Sequence, residues 1–171
     1  MEITQSEIES VCKEVISRGQ SDWDLTIGSQ RPVNPVKWES VEQNRRKNTS
    51  FLKEIVTKYG WPSRKVMGSA ASHWAWYIVQ HSDEDVAFQE ECLEKMGKLP
   101  SDEVDFYDLA YLSDRVRVNK HLPQLYGTQH KSENGVRKML SVENMDELEI
   151  RRKEVGLDES FEDHHKRVIS E

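Results

Sequence analysis

Apolar residues recur at helical spacing along most of the chain. Thr4 with Glu7, or Ser6 with Glu9, forms a capping-box pattern, and Ile8, Val11, Cys12, Val15 and Ile16 then fall on one stripe. This predicts a first helix that Gly19 stops, followed by a polar connection over 20–35 containing Pro32 and Pro35. A second helix is expected over 36–59, with Val41, Asn44, Asn48, Phe51, Leu52, Ile55, Val56 and Tyr59 on its stripe and Gly60 and Pro62 at its end. Gly60-Trp61-Pro62-Ser63 reads as an anchored turn, because proline fixes φ and Trp61 can bury a large area.

A third helix is expected over 70–81. Ser82, with Asp85 three residues on, reads as the N-cap of a fourth over 84–96, which carries Phe88, Cys92, Leu93 and Met96 inward and is closed by Gly97 and Pro100. A fifth runs over 104–119 around Leu109, Leu112 and Val116. There the pattern changes. Leu122 to Gln129 is rich in turn residues, and Asn134-Gly135 between short runs at 129–131 and 136–140 signals a hairpin. Two polar helices follow, over 145–155 with Gly156 as cap and over 160–169. The fold class expected is mainly α: a single compact helical domain over 1–171 with one short β-hairpin near residues 126–141.

A chain of 171 residues can bury a sufficient core without disulfides or metals. Hydrophobic residues make up 36% and charged residues 32%, yet five Trp, five Tyr and four Phe argue against a disordered chain. The net charge of −7 argues against a nucleic-acid partner. The contiguous Arg45-Arg46-Lys47 reads as a solvated helix face. Cys12 and Cys92 sit at stripe positions of different helices and read as free, small core residues. No secretory signal is visible at the start and no apolar run approaches a membrane span, so a cytoplasmic location without membrane contact is expected.

The third helix carries the densest mixture of aromatic and polar groups. On a wheel of 100° per residue, His73, Tyr77, Gln80 and His81 share a broad face opposite Ala71, Ala75 and Ile78. So apolar a helix is expected to be buried on most sides, with His73, Gln80 and His81 buried or lining a pocket. His73 and His81 stand ~12 Å apart along the axis and cannot share one metal ion. His81 with Asp83 or Asp85 is the better cluster, because a carboxylate can orient an imidazole for general acid–base work; the plainer alternative is a structural His–Asp hydrogen bond plus an N-cap. Asp114 and Arg115 interrupt an otherwise apolar helix and offer a second acid–base group and an anion anchor, or else an internal ion pair. Gln124, Tyr126 and Gln129 crowd a Pro/Gly turn suited to binding. His121, His130, His164 and His165 read as surface residues. Dinucleotide, P-loop, serine-hydrolase and zincin signatures are missing.

Several pieces together resemble an uncharacterised, mainly bacterial family described only as a domain of unknown function. They are Gly60-Trp61-Pro62; His73 with Trp76; Gln80-His81-Ser82-Asp83; Phe88-Gln89; Ala110 to Val116; Pro123-Gln124; Tyr126-Gly127-Thr128-Gln129; and Arg151-Arg152 with Val155-Gly156-Leu157. They cover residues 60–157. The family pattern carries a small residue where Trp74 stands, so packing there is expected to differ. The resemblance adds Gln89 to the candidate positions and supplies no reaction.

The lead expectation is a small-molecule enzyme working without metal or cofactor. His81, Asp83 and Asp114 would move protons, and His73, Gln80, Gln89, Arg115, Gln124, Tyr126 and Gln129 would hold the substrate. The alternative is a non-catalytic module that binds a small molecule or a protein partner, its polar groups forming a structural network. A metal site is the third option.

Overall fold

The structure, a computed structural model, describes residues 4–30, 35–133 and 136–170. Among these are seven α-helices, one 3-10 turn and one antiparallel hairpin, so the mainly helical class with a single hairpin holds. The chain forms two compact units, Met1–Val104 and Asp105–Glu171.

The first unit contains α1 (Gln5–Gln30), α2 (Pro35–Tyr59), α3 (Arg64–Gln80) and α4 (Val86–Gly97), with α3 packed on α1, α2 and α4. Thr4 and Glu7 make the predicted box: the Glu7 carboxylate accepts from Thr4 N at 2.9 Å, and Thr4 Oγ1 accepts from Glu7 N at 3.3 Å. The core comprises Val15, Val41, Leu52, Val56, Ala71, Ala75, Val79, Phe88, Cys92 and Met96.

Gly19 does not stop α1, which continues through the expected connection to Gln30. A Cβ on Gly19 would lie 2.6 Å from Trp74 Cε3, so the residue is glycine to admit the Trp74 ring against the α1 backbone. Pro32 lies outside the described residues, and Pro35 opens α2, where a missing N–H costs nothing.

Gly60 ends α2 at φ 79°, and Trp61, Pro62 and Ser63 are all buried. Gly68 (φ 78°, ψ 162°) interrupts α3, so its regular stretch begins near the expected residue 70. The N-cap of α4 is Asp85, whose carboxylate accepts from Phe88 N at 3.1 Å, and not Ser82. Ser82 instead donates its hydroxyl proton back to Ile78 O at 2.9 Å.

The second unit contains α5 (Phe106–Asn119), β1 (His130–Glu133), β2 (Val136–Met139), the 3-10 turn Met145–Glu147, α6 (Leu148–Glu154) and α7 (Phe161–Ser170). β1 and β2 pair in the register His130 to Met139; the turn dipeptide Asn134-Gly135 lies outside the described residues. Ala110, Leu112, Val116, Leu148 and Leu157 form this core, while Leu109, expected there, is half-buried. The predicted helix over 145–155 opens as the 3-10 turn, and Gly156 follows its end at φ 71°. No helix among the described residues is long and apolar enough to cross a membrane.

Candidate functional site

In the first unit, the end of α3, the turn after it and the facing side of α2 enclose a cleft of about 280 Å³. Glu42, Arg45, Arg46, Thr49 and Ser50 line it from α2, and His81 to Asp85 from the turn. Two of the sequence-predicted residues, His81 and Asp83, thus share one cavity.

The His81 ring is positioned from its own helix. Nδ1 lies 3.0 Å from the Tyr77 carbonyl, one turn back, and the two rings sit 4.4 Å apart. A carbonyl can only accept, so Nδ1 carries the proton in this bond and Nε2 is the basic nitrogen of the neutral ring. A backbone carbonyl thus orients the ring at Nδ1. Asp83 Oδ1 accepts from Gln89 Nε2 at 3.3 Å, and the same amide donates to Val79 O at 3.0 Å. Gln89, wholly buried, thereby ties the end of α3 to the turn that carries Asp83.

The wall facing His81 is braced from α2. Thr49 Oγ1 and Ser82 Oγ are 2.7 Å apart, Arg46 pairs with Glu84 at 2.6 Å, and Lys53 pairs with Asp85 at 2.6 Å. Arg45 is not the solvated cation expected. Its side chain is 11% exposed and lies 3.5 Å from Asp22 and 3.6 Å from Glu42. Asp22, on α1, is buried and also accepts from Asn44 Nδ2 at 3.1 Å. Burial pushes the Asp22 carboxyl up, against the pull of Arg45 and Asn44. Tyr77 belongs to this group through its hydroxyl: burial and Asp22 push it up to about 12, opposed by hydrogen bonding to Thr26 and Arg45. Sequence reading missed Asp22 and Thr26 because both fell in the supposed connection.

His73 is a correction. It is exposed on α3, its ring 5.2 Å from Trp76, rather than buried or in a pocket. Tyr77 and Gln80, further along the same face, are buried, whereas His73 lies on the first turn of the regular stretch of α3 that follows Gly68. Gln80 is buried as expected, with its Oε1 lacking a hydrogen-bond partner.

The second unit holds the other five candidates around the loop 123–129. Asp114 on α5 is wholly buried, and its carboxylate accepts from Leu125 N (2.7 Å), Tyr126 N (3.0 Å), Thr128 N (3.0 Å) and Thr128 Oγ1 (2.9 Å). Burial pushes its pKa up, opposed by these donors. The loop carbonyls are matched in turn. Arg117 Nε donates to Pro123 O at 2.6 Å, Arg151 Nε to Leu125 O at 2.9 Å and Arg152 Nη1 to Tyr126 O at 2.7 Å. Gln124 Nε2 donates to Gln129 O and Leu140 O, both at 3.0 Å, while its Oε1 accepts from Gln129 N at 2.6 Å. Gln129 Oε1 accepts from Arg115 Nη1 at 3.2 Å. Asp114 and Gln124 are thus committed to the loop backbone. Tyr126 is half-buried, its phenol pushed up by burial and by Asp114.

His130, His164 and His165 also depart from expectation. His164 is buried and His130 and His165 are half-buried, the last two joined Nε2 to Nδ1 at 3.1 Å. His121 is exposed, as expected. Among the described residues no three His, Cys, Asp or Glu side chains are placed to hold a metal ion.

A family model for a family of unknown function, DUF6624, matches residues 37–169, and the chain belongs to that family. The match takes in α2 to α7, including the cleft and the loop, and leaves out α1 with Gly19, Asp22 and Thr26. Neither a curated protein nor a solved structure matches the chain.

Proposed function

We propose that the cleft beside His81 is a small-molecule site and that His81 Nε2 accepts a proton there. The observation that carries this reading is the 3.0 Å bond from His81 Nδ1 to Tyr77 O on a residue that lines a cavity. It sets the tautomer and turns a basic nitrogen to the task, as an acid–base group needs. Asp83, held by Gln89, would orient the ligand. Thr49 and Ser82 add hydroxyls to the same wall.

The ligand class follows from charge. The lining carries Glu42, Asp83, Glu84 and Asp85 against Arg45 and Arg46. An excess of carboxylates disfavours a multiply charged anion and suits a neutral polar or cationic small molecule. Differential scanning fluorimetry against a library of neutral, cationic and phosphorylated metabolites tests this. Compounds that stabilise the wild type should be neutral or cationic and should fail to stabilise His81→Gln, while that variant keeps its own melting temperature and circular dichroism. Equal stabilisation of both proteins, or a hit set dominated by phosphorylated compounds, contradicts the reading.

The second unit favours a different reading. Asp114, Gln124, Arg117, Arg151 and Arg152 all bond to the loop backbone. A network of this kind builds a rigid loop, which suits recognition by Tyr126 and Gln129 better than proton transfer by Asp114.

A further inference from the structure

We propose that α7 is a proton-released latch: neutral imidazoles seat this helix on β1 and α5, and acidification frees it. The inference stands on how α7 is held. Its only buried residue is His164, flanked by half-buried Phe161, His165 and Val168. His164 packs against Tyr111 of α5 and His130 of β1, with ring centroids 6.3 Å and 5.7 Å away. His165 stacks on His130 at 5.3 Å and on Phe161 at 5.9 Å. Phe161 fills the space that a side chain at Gly127 would need, since a Cβ there would stand 2.7 Å from its ring. Histidines therefore occupy seats where a docked helix ordinarily places aliphatic residues.

Each seat fails on protonation. The 3.1 Å contact between His130 Nε2 and His165 Nδ1 needs one donor and one acceptor. When both rings are cationic the acceptor is gone and two like charges lie edge to edge, their ring centroids 5.3 Å apart. His164 Nδ1 lies 3.1 Å from both the Glu159 carboxylate and Arg167 Nη2 while Nε2 is buried with no partner, so the cationic ring loses its acceptor for Arg167 and carries a buried, unbonded N–H.

The surrounding charges add to this on balance. Arg137 of β2 faces His130, and Arg152 of α6 and Arg167 of α7 face His164. Tyr111, stacked on Tyr107, closes the α5 side and stays neutral, its phenol raised by burial. Glu159 opposes: its carboxylate is 3.1 Å from His164 Nδ1, but it also accepts from Arg167 at 2.9 Å and 3.0 Å, so its charge is shared.

The sign follows. Burial, then His164 and His165, hold His130 down to about 4, and burial also lowers His164, although Glu159 pulls it the other way. Released rings titrate near 6.5. The released state therefore binds more protons between those values, and docking, complete above pH ~6.5, weakens as pH falls toward 4.

Hydrogen exchange of the full chain at pH 7.5 and pH 5, corrected for intrinsic rates, is the test. The amides of 161–170 should lose roughly tenfold or more in protection at pH 5 while those of α2 and α3 keep theirs. His130→Gln with His165→Gln should shrink the difference to the share left at His164. Unchanged protection of α7 in the wild type, or the same loss in the double variant, overturns the proposal. Should the double variant be unprotected at pH 7.5 already, histidine-ring NMR of the wild type decides: His130 titrating at its ordinary value with α7 still protected overturns the latch, and titration coincident with loss of α7 protection supports it.

Discussion

Asp114, on α5, and Thr128, within the 123–129 loop, are joined by two hydrogen bonds to one carboxylate oxygen: Oδ2 accepts from Thr128 N at 3.0 Å and from Thr128 Oγ1 at 2.9 Å. Oδ1 takes Leu125 N and Tyr126 N. One buried side chain thus gathers three backbone donors that no strand or helix satisfies, while arginines on α5 and α6 gather the loop carbonyls.

Replacing Asp114 by Ala leaves those donors buried and unbonded, and should cost roughly 3 kcal/mol or more of unfolding free energy. Asp114→Asn keeps the shape but turns an NH2 toward N–H groups and should cost about 2 kcal/mol. Urea unfolding followed by circular dichroism measures both. A variant within experimental error of the wild type would show that the loop does not depend on this carboxylate.

Gly19→Ala sets two effects against each other. Alanine gains about 1 kcal/mol over glycine inside a helix. Its Cβ, however, would stand 2.6 Å from Trp74 Cε3 and 2.9 Å from Trp74 Cβ, and the latter is fixed to the backbone and cannot swing away. Overpacking costs about 1–3 kcal/mol, so the single variant should be less stable than the wild type. Adding Trp74→Ala, which removes the ring but keeps the Cβ contact at 2.9 Å, should lower the cost of the Gly19→Ala step. A stabilising single substitution would place Trp74 elsewhere.

This pair also shows what a sequence conceals. The helical stripes of α2, α4 and α5 were legible because each is periodic within its own segment. Gly19 was misread as a stop because its reason lies on α3, more than fifty residues away. The mistake hid Asp22 and Thr26, and with them the pairing that buries Arg45 beneath what looked like a basic surface run. Polar density drew attention to His81 and Asp83, which line the cleft, and to Asp114, Gln124 and Gln129, which knit the 123–129 loop. Their partners were not legible, since most are backbone N–H and C=O groups that no residue type announces. His164 sits in the highly polar run Glu162 to Arg167, and only the contacts with Tyr111 and His130 reveal it as buried.

Thiol chemistry should separate the two cysteines. Cys92 is wholly buried and its thiol is pushed up by burial, whereas Cys12 is half-buried, only modestly raised, with Sγ 3.3 Å from Met67 O. The thiolate is the reactive form, so Ellman's reagent should titrate Cys12 in the native protein and reach Cys92 only in denaturant. Rapid native modification of Cys92, identified by peptide mass, would contradict its burial.

The reading of the cleft rests on the state of one ring, and side-chain nitrogen NMR of His81 addresses it most directly. The account predicts that the neutral imidazole carries its proton on Nδ1, bonded to Tyr77 O, and that the Nε2 resonance shifts when a ligand found by thermal stabilisation is added. An Nε2-protonated tautomer, or an Nε2 signal indifferent to every such ligand, would contradict the assignment of His81 as the proton acceptor.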